Sequence, residues 1–291
     1  MSCTREVSSC EPSRLRLVLA GCPFVVGPDT ALTSDERVRL EALNRVAESA
    51  GVFDVPDFRL TLGDEPPWPG ANAADYPDYA GASVRAEGDR VRVTHRRHLA
   101  ELDMQALEGR LQRSTTGEAA VEITLRVALS ARLPSLGGLP LHAAGLVLDG
   151  AGLVFFGPSG AGKSTISALA PGPVLSDELV AVTLGPPVLR ATGFWGEWEA
   201  SERPPAEAPL AALVELARGP AFRLERLAPD QAFRRLMGVL LVPPLPRLWR
   251  EAMALAARSV REVPVYRMHW APEDPPWDQL RRAMLNVGGA A

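Results

Sequence analysis

Eight consecutive residues, Gly157-Pro158-Ser159-Gly160-Ala161-Gly162-Lys163-Ser164, match the spacing G-x-x-x-x-G-K-[ST]. Glycines at these places let successive backbone N–H groups converge on phosphate oxygens. The lysine then reaches the β- and γ-phosphates, and the hydroxyl after it takes Mg²⁺. Of the 31 basic residues, Lys163 is the only lysine and the other 30 are arginines. Where any surface cation would serve, this chain uses Arg. Lysine at 163 therefore reads as chemistry, because a compact ammonium fits between phosphate oxygens where a planar guanidinium does not. A glycine-rich turn with an incidental lysine is the plainer alternative, and the full match and the unique lysine weigh against it. The nucleotide-binding set is Gly157, Pro158, Ser159, Gly160, Ala161, Gly162, Lys163, Ser164 and Thr165. Further on stands the acidic pair Asp177-Glu178, 14 residues past Lys163. Two adjacent carboxylates at a strand end can do two jobs, one near a metal and one accepting a proton from an attacking hydroxyl. Most acidic pairs in loops are merely solvated, but apolar flanks at Pro173–Leu175 and Leu179–Val182 place this one at the edge of an internal strand. A guanine-reading N-K-x-D motif is impossible in a chain whose only lysine is Lys163, and the signature loop of transporter ATPases is absent.

These residues need a strand before the loop and a helix after it. Leu139–Leu148 and Gly152–Phe156 read as strands joined by a two-residue Asp149-Gly150 turn, and the second runs into the glycine loop. A short helix follows over Lys163–Leu169, stopped by Pro171-Gly172. Val174–Leu175 and Val180–Leu184 form a strand pair around Ser176-Asp177-Glu178. Leu210–Leu216 and Val263–Trp270 read as strands; Gln231–Leu241, Arg247–Ser259 and Trp277–Leu285 read as helices. Before residue 135 the signals are weaker. A strand is expected over Leu15–Ala20, and Ser34 caps a helix over Asp35–Ala50 with Leu40, Leu43 and Val46 on one face. Residues 63–82 are proline-rich, without periodicity, and read as a loop. Val84–Ala86 and Val91–Thr94 form a hairpin turning at Glu87-Gly88-Asp89. His95 and His98 follow it as exposed strand-end histidines, since no Cys, Asp or Glu joins them at ligand spacing. Val121, Leu125 and Leu129 mark a helix over Glu118–Leu129.

Several segments in order, LHAAG at 141–145, GPSGAGKST at 157–165, LSDELVAV at 175–182 and TGFWGE at 192–197, resemble the HPr-kinase-like family of P-loop serine kinases. That family shares its fold with ATP-dependent phosphoenolpyruvate carboxykinase. A further stretch, Leu210–Arg235, is similar to the strand, loop and helix that follow, so the resemblance covers roughly 136–270. The nearest likeness is to stand-alone bacterial kinases associated with modified-peptide gene clusters. The resemblance implies an α/β fold, a P-loop kinase domain of phosphoenolpyruvate-carboxykinase-like type over 136–291. Residues 1–135 read as a separate, smaller α+β N-terminal domain that would help recognise the acceptor. The resemblance makes Asp177 the base that accepts the hydroxyl proton and places His142 beside the phosphates. Ser164 and Glu178 sit around Mg²⁺, with Glu197 a further metal or substrate contact. Two departures stand out: Gly193 occupies a place where proline is expected, and the helix after the loop is short. No counterpart of the C-terminal helix of the HPr kinases is present, so HPr itself is not implied as the substrate.

The implied activity is ATP- and Mg²⁺-dependent phosphorylation of a serine or similar hydroxyl on a peptide or protein. A nucleotide-binding regulator without transfer, or a kinase of a small hydroxylated molecule, are the alternatives. Carboxykinase chemistry is disfavoured because its oxaloacetate site is built from Lys and His, and one lysine is available. The formal net charge of −4 gives no electrostatic case for nucleic acid or an anionic membrane. Cys3, Cys10 and Cys22 have neither disulfide-framework nor zinc spacing. Leu19-Ala20-Gly21-Cys22 looks like a lipoprotein cleavage box, but only Leu17–Ala20 separate Arg16 from Gly21, too few for a signal peptide's apolar region. The expectation is a cytoplasmic protein with an acceptor peptide or protein as partner; a homo-oligomer stays open.

Overall fold

The computed structural model describes residues 14–28, 32–47, 51–63, 83–95, 98–113, 120–194 and 206–287. Within them the chain is mixed α/β, with two mixed sheets and six α-helices. In chain order the strands of the first sheet are β1 (Leu15–Leu19), β2 (Cys22–Pro28), β3 (Phe58–Gly63), β4 (Ser83–Glu87), β5 (Arg90–His95), β6 (His98–Asp103) and β7 (Glu108–Gln112). They lie side by side as β1-β2-β3-β7-β6-β5-β4, parallel only at β2/β3 and β3/β7. Phe58, Leu60 and Leu62 on β3 are buried and alternate with more exposed neighbours, the period-2 signature of a strand packed on one face. The suspected cleavage box is the β1–β2 turn itself: Leu19 pairs with Cys22, and burial pushes the Cys22 thiol up to about 12.

Helix α1 (Ser34–Ala47) begins one residue earlier than expected. Thr33, not Ser34, is the cap. Its Oγ1 accepts the Glu36 N–H at 3.2 Å, and Glu36 Oε2 accepts the Thr33 N–H at 2.9 Å, a reciprocal capping box. Residues 48–50, at the end of the expected helix, lie outside the described residues, as does 64–82 of the expected loop. Helix α2 (Ala120–Arg132) buries Val121, Leu125, Ala128 and Leu129 and packs on strands of both sheets.

The second sheet holds β8 (Gly138–Leu148), β9 (Ala151–Phe156), β10 (Val174–Ser176), β11 (Leu179–Thr183), β12 (Val188–Arg190), β13 (Glu207–Arg218), β14 (Arg223–Arg226) and β15 (Val265–Trp270). Strands β9, β13 and β15 are parallel and the remaining pairs antiparallel. The pairings β8–β9, β9–β13, β13–β12, β12–β11 and β11–β8 close into a ring. Segments β10 and β11 do not pair with each other as expected. Both pair with β8, on which β10 meets Gly145–Leu146 and β11 meets Gly138–His142, so the 176–179 turn is held against one long strand.

Four helices complete this half: α3 (Lys163–Ala168), α4 (Pro229–Met237), α5 (Pro246–Glu262) and α6 (Trp277–Val287). Helix α4 ends a turn before the expected Leu241. Val239–Leu241 instead lie against β8, where Val239 O accepts the His142 N–H at 2.8 Å and Leu241 N–H donates to Pro140 O at 3.0 Å. A backbone pairing available only in three dimensions thus outweighs the helical pattern. One apolar cluster runs from Leu17 through Leu125 to Val265, continuous across residue 135. A second lies on the other face of β9, β13 and β15, where Ile166 of α3 and Leu280 of α6 are buried and Trp277 meets Phe155 edge-on at 6.2 Å. No described helix is long and apolar enough to cross a membrane.

Candidate functional site

The glycine loop follows β9 directly and opens α3, the context its pattern requires. Pro158, Ser159 and Gly160 are exposed at the tip, as are Ser164 and Thr165 at the start of α3, whereas Gly157 and Ala161 are buried. Gly162 holds φ +101°, and a Cβ there would stand 3.0 Å from Trp270 Cζ2. Both the left-handed backbone and the indole beneath it require glycine. The end of β15 therefore props the loop from below. The Lys163 amine folds back beneath the loop and donates to the Gly157 carbonyl at 3.2 Å and, more weakly, towards Pro158 O at 3.5 Å. Arg218 at the end of β13 donates to Gly160 O at 3.3 Å.

Strand β8 brings the acidic pair to the same end of the sheet. Ala143 pairs with Phe156, the residue before Gly157, while His142 pairs with Leu179, the residue after Glu178. The turn carrying Asp177 and Glu178 is pinned by hydroxyls. Ser176 Oγ lies 2.6 Å from Leu179 O and against Phe194 O, and Thr192 Oγ1 bonds the same Leu179 carbonyl. Asp177 is buried and Glu178 half-buried. Of the TGFWGE segment, Thr192, Gly193 and Phe194 are described; Trp195, Gly196 and the candidate ligand Glu197 lie outside the described residues. Gly193 has φ +78°, with its would-be Cβ 3.1 Å from Leu43 O, so proline could not stand there.

Glu178 is the hub of a charged cluster. Its Oε1 lies 3.2 Å from Arg126 of α2 and 3.8 Å from His142 Nδ1. Arg126 also reaches Glu122 at 3.4 Å and lies over the Phe194 ring at 5.4 Å. Sequence reasoning missed Arg126. Its only signal was the i,i+4 Glu122–Arg126 pair on the polar side of an amphipathic helix, a pattern that usually marks a solvated face. Burial, with the Lys163 and Arg126 cations, pulls the His142 imidazole below its ordinary range, against the pull of Glu178. Lys163 is likewise lowered by burial, while Glu178 opposes the shift.

Lys163, His142, Asp177 and Glu178 thus gather at one sheet end with Ser164 and Thr165 at the loop. Among the described residues no three His, Cys, Asp or Glu side chains converge as a ligand set of their own. His95 pairs with His98 in the β5–β6 ladder, far along the first sheet's order from β1. The buried ammonium, exposed loop tip and adjacent carboxylates can hold a polyphosphate and take a proton beside it. Compared with known proteins, the chain matches no family model and no curated protein.

Proposed function

We propose that the protein is an ATP-dependent phosphotransferase, a kinase that phosphorylates a serine or similar hydroxyl on a peptide or protein. On this reading residues 136–291 carry a P-loop kinase fold of the HPr-kinase-like, phosphoenolpyruvate-carboxykinase-like type, packed through a shared core with a smaller α+β part before it. One observation carries the proposal. The sole lysine of the chain donates into its own glycine loop, at the sheet end that also holds the Asp177-Glu178 turn. The carbonyls of Gly157 and Pro158 hold the amine where phosphate oxygens would replace them.

Lys163 would span the β- and γ-phosphates, and the loop N–H groups would bind their remaining oxygens. The donor set fits Mg²⁺, which keeps waters and phosphate oxygens and needs only one or two protein groups, here the Ser164 hydroxyl and Glu178. When bound, that ion would neutralise charge on the transferring phosphoryl group. Asp177 accepts the acceptor's hydroxyl proton as the oxygen attacks the terminal phosphorus and the bond to the ADP oxygen breaks. His142 serves as a neutral imidazole beside the phosphates, and Arg126 holds Glu178 in place.

The test is Asp177→Asn. Nucleotide affinity should persist while ATP-dependent phosphorylation of a serine-peptide library falls roughly 10²–10⁴-fold. Turnover close to wild type would remove Asp177 as the base. Nucleotide binding without any transfer by the wild-type chain would favour a regulatory protein.

A further inference from the structure

A cleft of about 530 Å³ opens between α4 and the β14–β15 pair, lined by Glu225, Leu227, Gln231, Arg234, Arg235 and Arg267. Its position follows from register. Phe156, Glu215, Arg267 and Glu225 are successive partners across β9, β13, β15 and β14, and cross-strand partners point to the same face. The row starts at Phe156, the last residue of β9 before Gly157, and crosses β13 and β15 at Glu215 and Arg267, three residues short of their ends at Arg218 and Trp270. Two strand spacings separate β9 from β15, roughly 10 Å.

Charge in the cleft is unbalanced. Arg235 and Arg267 share one carboxylate, the buried Glu215, at 3.5 and 3.8 Å, beyond good hydrogen-bond length. Among the described residues the buried Arg267 Nε and the Glu215 Oε2 it faces both lack a hydrogen-bond partner, so the contact between them is loose. Two guanidinium groups facing one carboxylate leave a positive charge and forked donors for a further oxyanion. Glu225, bound to Arg223 at 3.0 Å, and Gln231 add acceptors on the same wall. A free phosphate has little use for acceptors, whereas an amino-acid residue offers both a carboxylate and a backbone N–H.

We propose that this cleft binds an acidic residue of a peptide, its carboxylate on Arg235 and Arg267 and its backbone N–H towards Glu225 or Gln231. Resting on the kinase reading above, this makes the acceptor acidic close to its hydroxyl. An extended chain covers roughly 10 Å in about three residues, so Asp or Glu falls within about three positions of the phosphorylated serine.

The binding arm uses full-length Lys163→Met protein, in which the phosphate loop is crippled, so that it reads the cleft whether or not the chain is a kinase. Acetyl-Ser-Ala-Asp-Asp-amide, its Asn-for-Asp counterpart and inorganic phosphate are titrated separately. The acidic peptide should bind at least tenfold tighter than the Asn peptide, and Arg267→Gln or Arg235→Gln should each cost about tenfold. Arg234, exposed on the cleft wall, allows a variant that spares the core: Arg234→Glu should also weaken the acidic peptide alone. In the kinase arm, Arg234→Glu should raise KM for the acidic peptide at unchanged kcat and unchanged Mg·ATP affinity. Equal binding of both peptides, inorganic phosphate binding as tightly as the acidic peptide, or a parallel loss of Mg·ATP affinity would each overturn the proposal. Absence of any transfer with intact acidic-peptide binding would sink the kinase reading and leave the cleft assignment standing.

Discussion

Lys163 and His142 are both bases drawn towards neutrality by burial, but they start from different places and end in different states. The amine begins far above neutral pH and has Glu178 pulling it upward, so it keeps the ammonium form that phosphates need. The imidazole begins near 6.5 and is lowered, so at neutral pH it is uncharged and adds no cation to a site that already holds Lys163 and Arg126. The sign of the linkage follows. In the unfolded chain His142 takes its proton near the ordinary value, while the folded site resists until lower pH. The unfolded state therefore binds more protons in that window, and stability falls as pH drops through the ordinary histidine range. Urea midpoints at pH 7.5 and 5.5 should show a larger acid loss for wild type than for His142→Gln. An equal loss would show no shift at His142, and a smaller loss in wild type would mean that Glu178 holds an imidazolium there and that His142 works charged.

At the scale of elements, the first sheet is tied to its helices by buried charge. Arg113, just past β7, pairs with Glu36 of α1, and both side chains are about 5% exposed or less. Removing one member of such a pair strands the other in the interior, at a cost of about 3–5 kcal/mol, whereas removing both often costs little. Glu36→Gln preserves the reciprocal cap with Thr33 but not the charge, so it isolates the pair. Its urea stability should drop by about that amount, and Glu36→Gln/Arg113→Met should regain most of it. A double variant no better than the single one would place the cost in the cap. The same elements show what a one-dimensional reading can reach. The β8–β9 hairpin, the loop and the start of α3 were legible, because turn chemistry and the glycine spacing act within a few residues. The three-residue step from Thr33 to Glu36 has capping-box spacing, yet Ser34 competes for the cap by type alone. The partner choice of β10 and β11, the departure of Val239–Leu241 to β8 and the reach of Arg126 to Glu178 depend on pairings between distant residues. Strands β2, β3, β6 and β7 escaped notice for a similar reason: short runs interrupted by Arg, Glu or Pro become strands because neighbours supply the ladder.

At the scale of the molecule, the question is whether the two sheets unfold together. Composition suggests a change of character near residue 135, but the packing runs straight across it. Arg132 at the end of α2 donates to Pro23 O at 2.6 Å and Pro56 O at 2.7 Å, and lies over Phe24 at 5.5 Å. From the other side, Arg190 of β12 donates to Gly51 O at 2.9 Å and covers the Phe53 ring at 5.2 Å. Gly193 lies against the α1 backbone at Leu43. Cutting at 135 would strip α2 from β8 and open the apolar cluster that joins Leu125 to Leu139 and Leu141. A loosely joined pair of domains meets through a small and rather polar surface, whereas here a single core is shared. The expected behaviour is one cooperative transition. Hydrogen exchange followed through urea should give coincident midpoints for peptides from β3 and from β8. Arg132→Met, which deletes two hydrogen bonds to a charged donor worth about 1.5–3 kcal/mol each, should lower both midpoints together. Residues 136–291 expressed alone should expose apolar surface and give no cooperative transition. Two separated midpoints, or a fragment that unfolds cooperatively by itself, would show that the shared core is an interface between independent domains, with Arg126 reaching the site from a separate body.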